Sequence, residues 1–168
     1  MAVDAKDILY MLADEFKLTR ETTEQRLKLQ KTIYLLQIYG LKLGYGFSWY
    51  KYGPYSQDLV QDAYRVLHAE KGPYKTKTQS LRFNKASKQK FDRFRHICGD
   101  ALKNPGELEL VASVDFVRTT WYLRMSVDEF IPKFRKYKSR LFDTTPITDD
   151  RIKRAFRVSQ KLRQSAQN

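Results

Sequence analysis

Two stretches of this 168-residue chain carry side chains whose type and spacing can bind anions. The first runs from Lys71 to Arg95 and holds Lys75, Lys77, Arg82, Lys85, Lys88, Lys90 and Arg93. The second runs from Lys133 to Arg163 and holds Arg135, Lys136, Lys138, Arg140, Arg151, Lys153, Arg154, Arg157 and Lys161, and acids are few in both. Such groups neutralise phosphates, and because each contact releases counterions the effect accumulates over several contacts. Lys75, Lys77, Arg82 and Lys88 are the expected contacts in the first stretch. Arg151, Arg154 and Arg157, at helical spacing, are those in the second. Taken singly, each is better explained by a solvated helix face. The whole chain has 32 Lys and Arg against 19 Asp and Glu, a net charge of +13, which implies an acidic partner: DNA, RNA or an acidic protein.

A second candidate is aromatic. Trp49, Tyr50, Tyr52 and Tyr55, with Lys51 among them, have the composition of a base-stacking platform. Core packing is the favoured reading, because half the side chains of a short strand face inward and Gly53-Pro54-Tyr55 is turn chemistry. Gly44-Tyr45-Gly46 is no phosphate loop, since it precedes a strand and lacks the Lys-Ser or Lys-Thr that would follow. Cys98 is the sole cysteine and reads as a buried core residue; with only His68 and His96 beside it in the composition, neither a metal nor a disulfide is expected. No nucleophile and base pair, and no paired carboxylates, stand out. Asp115, alone on an apolar helix, is expected to be capped by a neighbouring arginine or exposed on that helix's polar edge rather than catalytic. The expectation is a non-enzymatic chain without a cofactor.

These residues need elements to hold them. Ile8, Leu9, Leu12 and Phe16 make one face of a first helix, and Thr22 with Gln25 has capping-box spacing for a second. In that second helix Leu29, Ile33, Leu36, Gly40 and Leu43 form one apolar stripe and Tyr34, Ile38 and Leu41 another, with Lys28, Lys31 and Lys42 as a narrow solvated face. Gly44 and Gly46 turn the chain into a strand over Phe47 to Tyr52, which Gly53-Pro54 breaks. A helix follows from Ser56 to about Glu70, stopped by Gly72-Pro73. The basic stretch from Tyr74 to Asn84 reads as a hairpin or wing, which gives the N-terminal half a winged-helix-like plan. Ser87 is expected to cap a helix carrying Phe91, Phe94, Ile97, Cys98, Ala101 and Leu102, ended by Asn104-Pro105-Gly106. A deep helix follows from Leu108. Ser126 with Glu129 starts the next, with Pro132 inside it, and Thr148 caps the last, which frays after Arg163.

Apolar residues at 42% and aromatics at 14% predict a folded chain, mainly α with a small β element, in one domain over residues 1–168. Within it, residues 1–84 form a helix-strand-helix core and residues 85–168 a basic helical half. No run is long enough to span a bilayer and the N-terminus does not read as a signal peptide, so a cytoplasmic protein without membrane contact is expected.

The Leu29-Gln30-Lys31 helix, continued by Tyr34-Leu35-Leu36-Gln37, together with Phe47-Ser48-Trp49-Tyr50-Lys51-Tyr52-Gly53-Pro54-Tyr55-Ser56, resembles the YwgA-like phage-associated proteins. It is more distantly similar to Panacea antitoxin domains of the SocA kind. Leu108-Glu109-Leu110-Val111-Ala112 looks like the family's later helix. The resemblance implies a phage or mobile-element setting and a regulatory or antitoxin-like role through contact with a partner protein, which in the antitoxin relatives is a toxin. Nucleic-acid binding through the basic helices is the alternative. The long basic C-terminal half departs from the Panacea pattern.

Overall fold

The computed structural model describes residues 2–68 and 73–168. Helix α1 spans Ala5–Glu15 and α2 spans Thr23–Ile38; a hairpin of β1 (Ser48–Tyr50) and β2 (Gly53–Tyr55) leads into α3 (Gln57–Leu67). Then come α4 (Pro73–Thr78), α5 (Lys85–Cys98) with a 3-10 turn over Gly99–Lys103, α6 (Pro105–Trp121), α7 (Val127–Tyr137) and α8 (Asp149–Ala166). The chain is mainly helical with a two-stranded antiparallel sheet, and one apolar cluster joins residues from α1 to α8. Among the described residues no helix is long and apolar enough to cross a membrane.

Local side-chain chemistry fixes most helix starts. Thr22 and Gln25 form a reciprocal capping box, as do Ser126 and Glu129, and the Thr148 hydroxyl accepts from the Arg151 amide. Asp4 and Asp7 make a third box at α1. Two starts differ from expectation. Asn84, not Ser87, caps α5, and Asn104, expected to close the preceding helix, accepts from the Glu107 amide and opens α6. Asparagine serves there because its short amide reaches the third amide of the turn. Helix α7 runs through Pro132, and α8 runs on past Arg163 to Ala166.

Helix α2 stops at Ile38, short of the expected Leu43, because Gly40 adopts φ +119 and the Leu41 amide reaches back to the Leu36 carbonyl. That six-residue closure is the usual glycine-dependent helix stop. Every residue from Leu29 to Leu36 is buried, Lys31 included, so the expected solvated face is absent at that position. Helix α6 shares the centre: it packs on both α2 and α8 and is buried on nearly every side.

The chain on either side of α3 also differs from expectation. Gly53-Pro54 does not break a strand but forms one: Ser48 pairs with Tyr55, Trp49 with Pro54 and Tyr50 with Gly53, across a two-residue loop of Lys51 and Tyr52. Proline is tolerated because a two-stranded sheet has only edges. The expected end of α3 near Glu70, the Gly72 stop and Lys71 lie outside the described residues. No wing forms over residues 74–84: Tyr74 to Thr78 is helical, with the Thr78 hydroxyl bonded to the Tyr74 carbonyl and Lys77 anchored on Asp7 of α1. Tertiary anchoring on α1 overrides the β preference of the threonines.

Candidate functional site

The sheet is held to α2 by three side-chain contacts, all from the resemblance motif. The Gln30 amide pairs with the Ser56 backbone, donating to its carbonyl and accepting from its N–H, both at 2.9 Å. The Lys31 ammonium donates to the Pro54 carbonyl at 2.6 Å. Gly53 lies so close to α6 that a Cβ there would sit 2.2 Å from Ser113 Oγ, and its φ is +83. The motif is thus a clamp: Gln30 and Lys31 satisfy backbone groups that a short edge strand leaves open.

Beneath the hairpin lies an array of buried charge. Lys31 and Lys138 are each sealed from solvent, and Glu109 between them in the chain is completely buried. Glu109 approaches Lys138 Nζ at 2.5 Å, an ion-pair contact without hydrogen-bond alignment, and accepts the Phe142 amide at 2.7 Å through its other oxygen. Lys138 also reaches the Lys51 carbonyl at 3.3 Å. Burial lowers the Lys31 pKa to about 7; the Glu109 charge opposes that shift and the Lys138 charge adds to it. Between about pH 7 and pH 10 the unfolded chain therefore binds more protons at Lys31 than the folded chain, so stability should rise with pH across that window. Lys31→Met should flatten the rise. Urea unfolding of both chains at the two ends of the window checks it, and equal slopes would show an amine as well solvated folded as unfolded.

A second buried array centres on Asp115. Its Oδ1 accepts from Ser159 Oγ at 2.6 Å and Arg163 Nε at 2.8 Å, and its Oδ2 accepts from Tyr34 Oη at 2.6 Å and the same guanidinium at 2.8 Å. Arg118 lies 4.0 Å from Oδ1 and donates to Ser159 Oγ at 2.9 Å. Burial and the adjacent carboxylate hold the Tyr34 phenol well above its ordinary pKa. Asp115 is therefore a fully partnered tie between α2, α6 and α8. Cys98 is buried, its thiol pushed up to about 12 by desolvation, while His96 on the same helix is exposed.

The structure divides the expected anion contacts. Lys75, Arg82 and Lys88 come together around a cleft of about 560 Å³ between α1, α4 and α5, which Asp14 and Glu15 also line. Lys77 is taken by Asp7, and the half-buried Arg151 is held by Glu107 at 2.5 Å and by Thr145 and Pro146. Lys138 is core, and Arg135 and Lys153 pair with Asp149 and Asp128. Arg154 and Arg157 stay exposed on α8, and neither lines the cleft that gathers Lys75, Arg82 and Lys88. The aromatic segment is split too. Trp49 packs against Phe116 and Tyr52 against Phe142, whereas Tyr50 is 58% exposed and lies 5.0 Å from the Tyr55 ring.

The feature that residue patterns did not disclose is a cavity of about 300 Å³ where α2, β2 and α3 meet. Leu27, Leu29, Val60 and Ala63 line it, with the rings of Tyr52 and Tyr55. Gln30 and Lys31 also contribute, and Arg20, Thr23 and Arg26 complete it beside the start of α2. Arg20 lies over the ring of Tyr64, itself 53% exposed. A signal was present in the spacing of Leu27, Lys31 and Leu35, which puts an amine in an apolar stripe. Comparison with protein-family models, curated proteins and solved structures finds no match to this chain.

Proposed function

We propose that this chain is a non-enzymatic binding module of the regulatory or antitoxin-like kind, which acts by holding a partner protein at the cleft between α2, β2 and α3. The observation that carries the reading is the cleft's composition: an aliphatic lining that excludes water, with Tyr52, Tyr55, Arg20 and Arg26 around it, tyrosine and arginine being among the residue types that dominate binding energy at protein interfaces. The buried ionisable groups Lys31, Glu109 and Asp115 are engaged in ties between elements, which accords with a binding rather than a catalytic role. The phage or mobile-element setting comes from the resemblance of the Leu29-Gln30-Lys31 and Tyr52-Gly53-Pro54-Tyr55-Ser56 motifs, of which Leu29, Gln30, Lys31, Tyr52 and Tyr55 line this same cleft. Affinity capture from native cells with nuclease present is the test. The parent should retain a discrete protein that Val60→Arg, filling the cleft from α3, fails to retain; equal retention would refute the assignment.

The convergence of Lys75, Arg82 and Lys88 favours a second reading, nucleic-acid binding on a surface apart from the cleft. It makes a contrasting prediction. If it holds, binding of a DNA or RNA duplex should fall by orders of magnitude as salt rises, and Lys75→Glu with Lys88→Glu should weaken it for every sequence. Arg154→Glu with Arg157→Glu, both exposed, should leave the fold intact and report on α8 separately. On the protein-binding reading any duplex binding by the parent at low salt follows net charge alone, so fluorescence anisotropy should find the two pairs of substitutions equally weakening.

A further inference from the structure

We infer that the cleft between α2, β2 and α3 takes a segment of the partner protein in which an apolar side chain is flanked by carboxylates; this rests on the protein-binding reading above. The volume, about 300 Å³, accommodates one or two large side chains; Leu27, Leu29, Val60 and Ala63 offer them apolar contact, and the polar atoms of Gln30 and Lys31 in the lining are already bonded to the Ser56 backbone and the Pro54 carbonyl. An aliphatic floor suits an aliphatic or aromatic side chain better than a nucleobase, whose edges carry donors and acceptors that would be left unpaired there.

The rim determines the flanks. Among the described residues no carboxylate lines the cleft, and neither Arg20 nor Arg26 has an acid within ion-pair distance. Glu21, the nearest acid in sequence, turns its carboxylate onto the Arg20 backbone amide at 3.1 Å. The Arg26 guanidinium is fixed by the Arg20 and Glu21 carbonyls, both at 3.0 Å, and by Thr23 Oγ1, so its charge is held in place by neutral acceptors. Arg20 is steadied over Tyr64. Two guanidiniums that make no direct ion pair among the described residues stand beside an apolar slot and are complementary to an acidic-apolar segment, and in a chain of net charge +13 the long-range field steers the same kind of partner.

A random peptide library displayed on phage, selected against the whole chain and sequenced, tests this. Enriched peptides should share an apolar residue with Asp or Glu within a few positions. Their synthetic versions should bind the parent and lose roughly tenfold or more on Arg20→Glu, which alters an accessible side chain, and on Val60→Arg, with circular dichroism melts confirming that both variants fold. Apolar peptides without acids, or binding indifferent to Arg20→Glu, would overturn the inferred chemistry while leaving a protein-binding cleft. Enrichment of basic peptides, or of none, would overturn it as well. If in addition the protein captured from cells binds Val60→Arg as well as the parent, the cleft itself is not the site.

Discussion

Asp115→Ala is expected to destabilise the chain by about 3–5 kcal/mol, the range for breaking a buried ion pair from one side. The substitution removes the acceptor for Tyr34, Ser159 and Arg163 at once, and leaves Arg118, almost wholly buried, without its one carboxylate within 4.0 Å among the described residues. Against a total stability of about 5–15 kcal/mol for an ordinary domain, that loss is a large fraction. Asp115→Asn should lie between, since an amide keeps an acceptor but brings a donor into a site already full of donors. Urea unfolding followed by circular dichroism measures it. A midpoint unchanged in the alanine variant would mean that water satisfies these groups and that the tie between α2, α6 and α8 is dispensable.

Gly53→Val should have a comparable effect, about 3–5 kcal/mol, from two sources that can be separated. The backbone at φ +83 resists any β-branched residue, and the new Cβ would meet the Oγ of the fully buried Ser113 at 2.2 Å. Ser113 offers the means of separation. Its hydroxyl is buried with no hydrogen-bond partner, so Ser113→Ala should be neutral or slightly stabilising. Gly53→Ala in a Ser113→Gly background should then recover the steric part and retain a backbone penalty of about 1 kcal/mol. Thermal melts of the single and double variants decide it. Additive losses would show that hairpin and α6 do not press on each other at this point.

Features that depend on residues a few positions apart were legible in the sequence. The Thr22 and Ser126 capping boxes, the Thr148 cap, the apolar stripe through Ile33 and Leu36 and the depth of α6 all follow from local spacing. The arginine expected to cap Asp115 is chiefly Arg163, from a helix 48 positions away. What escaped has its cause in elements distant along the chain. Helical spacing says that Lys31 shares a stripe with Leu27 and Leu35, but not that a hairpin would cover it or that Glu109 and Lys138 would supply charge beneath. Residues 74–78 are helical because Lys77 finds Asp7, 70 positions earlier, where threonine content alone points to strand. Arg151 has the same helical spacing as Arg154 and Arg157, yet Glu107 from α6 withdraws it from the surface. The cleft itself joins Leu27 to Val60 and Ala63 through the packing of α2 against α3, which no single window of sequence contains.

Hydrogen exchange of the chain with and without its captured partner tests the central claim most directly, because it reports where the partner sits without altering any residue. The account predicts slowed exchange in the segments that build the cleft, the first half of α2, the β2 strand and α3 through Ala63, with α5 and α8 unchanged. Protection confined to α5 and the exposed face of α8 around Arg154 and Arg157, with the cleft exchanging as in the free chain, would contradict it and place binding on the basic surface instead.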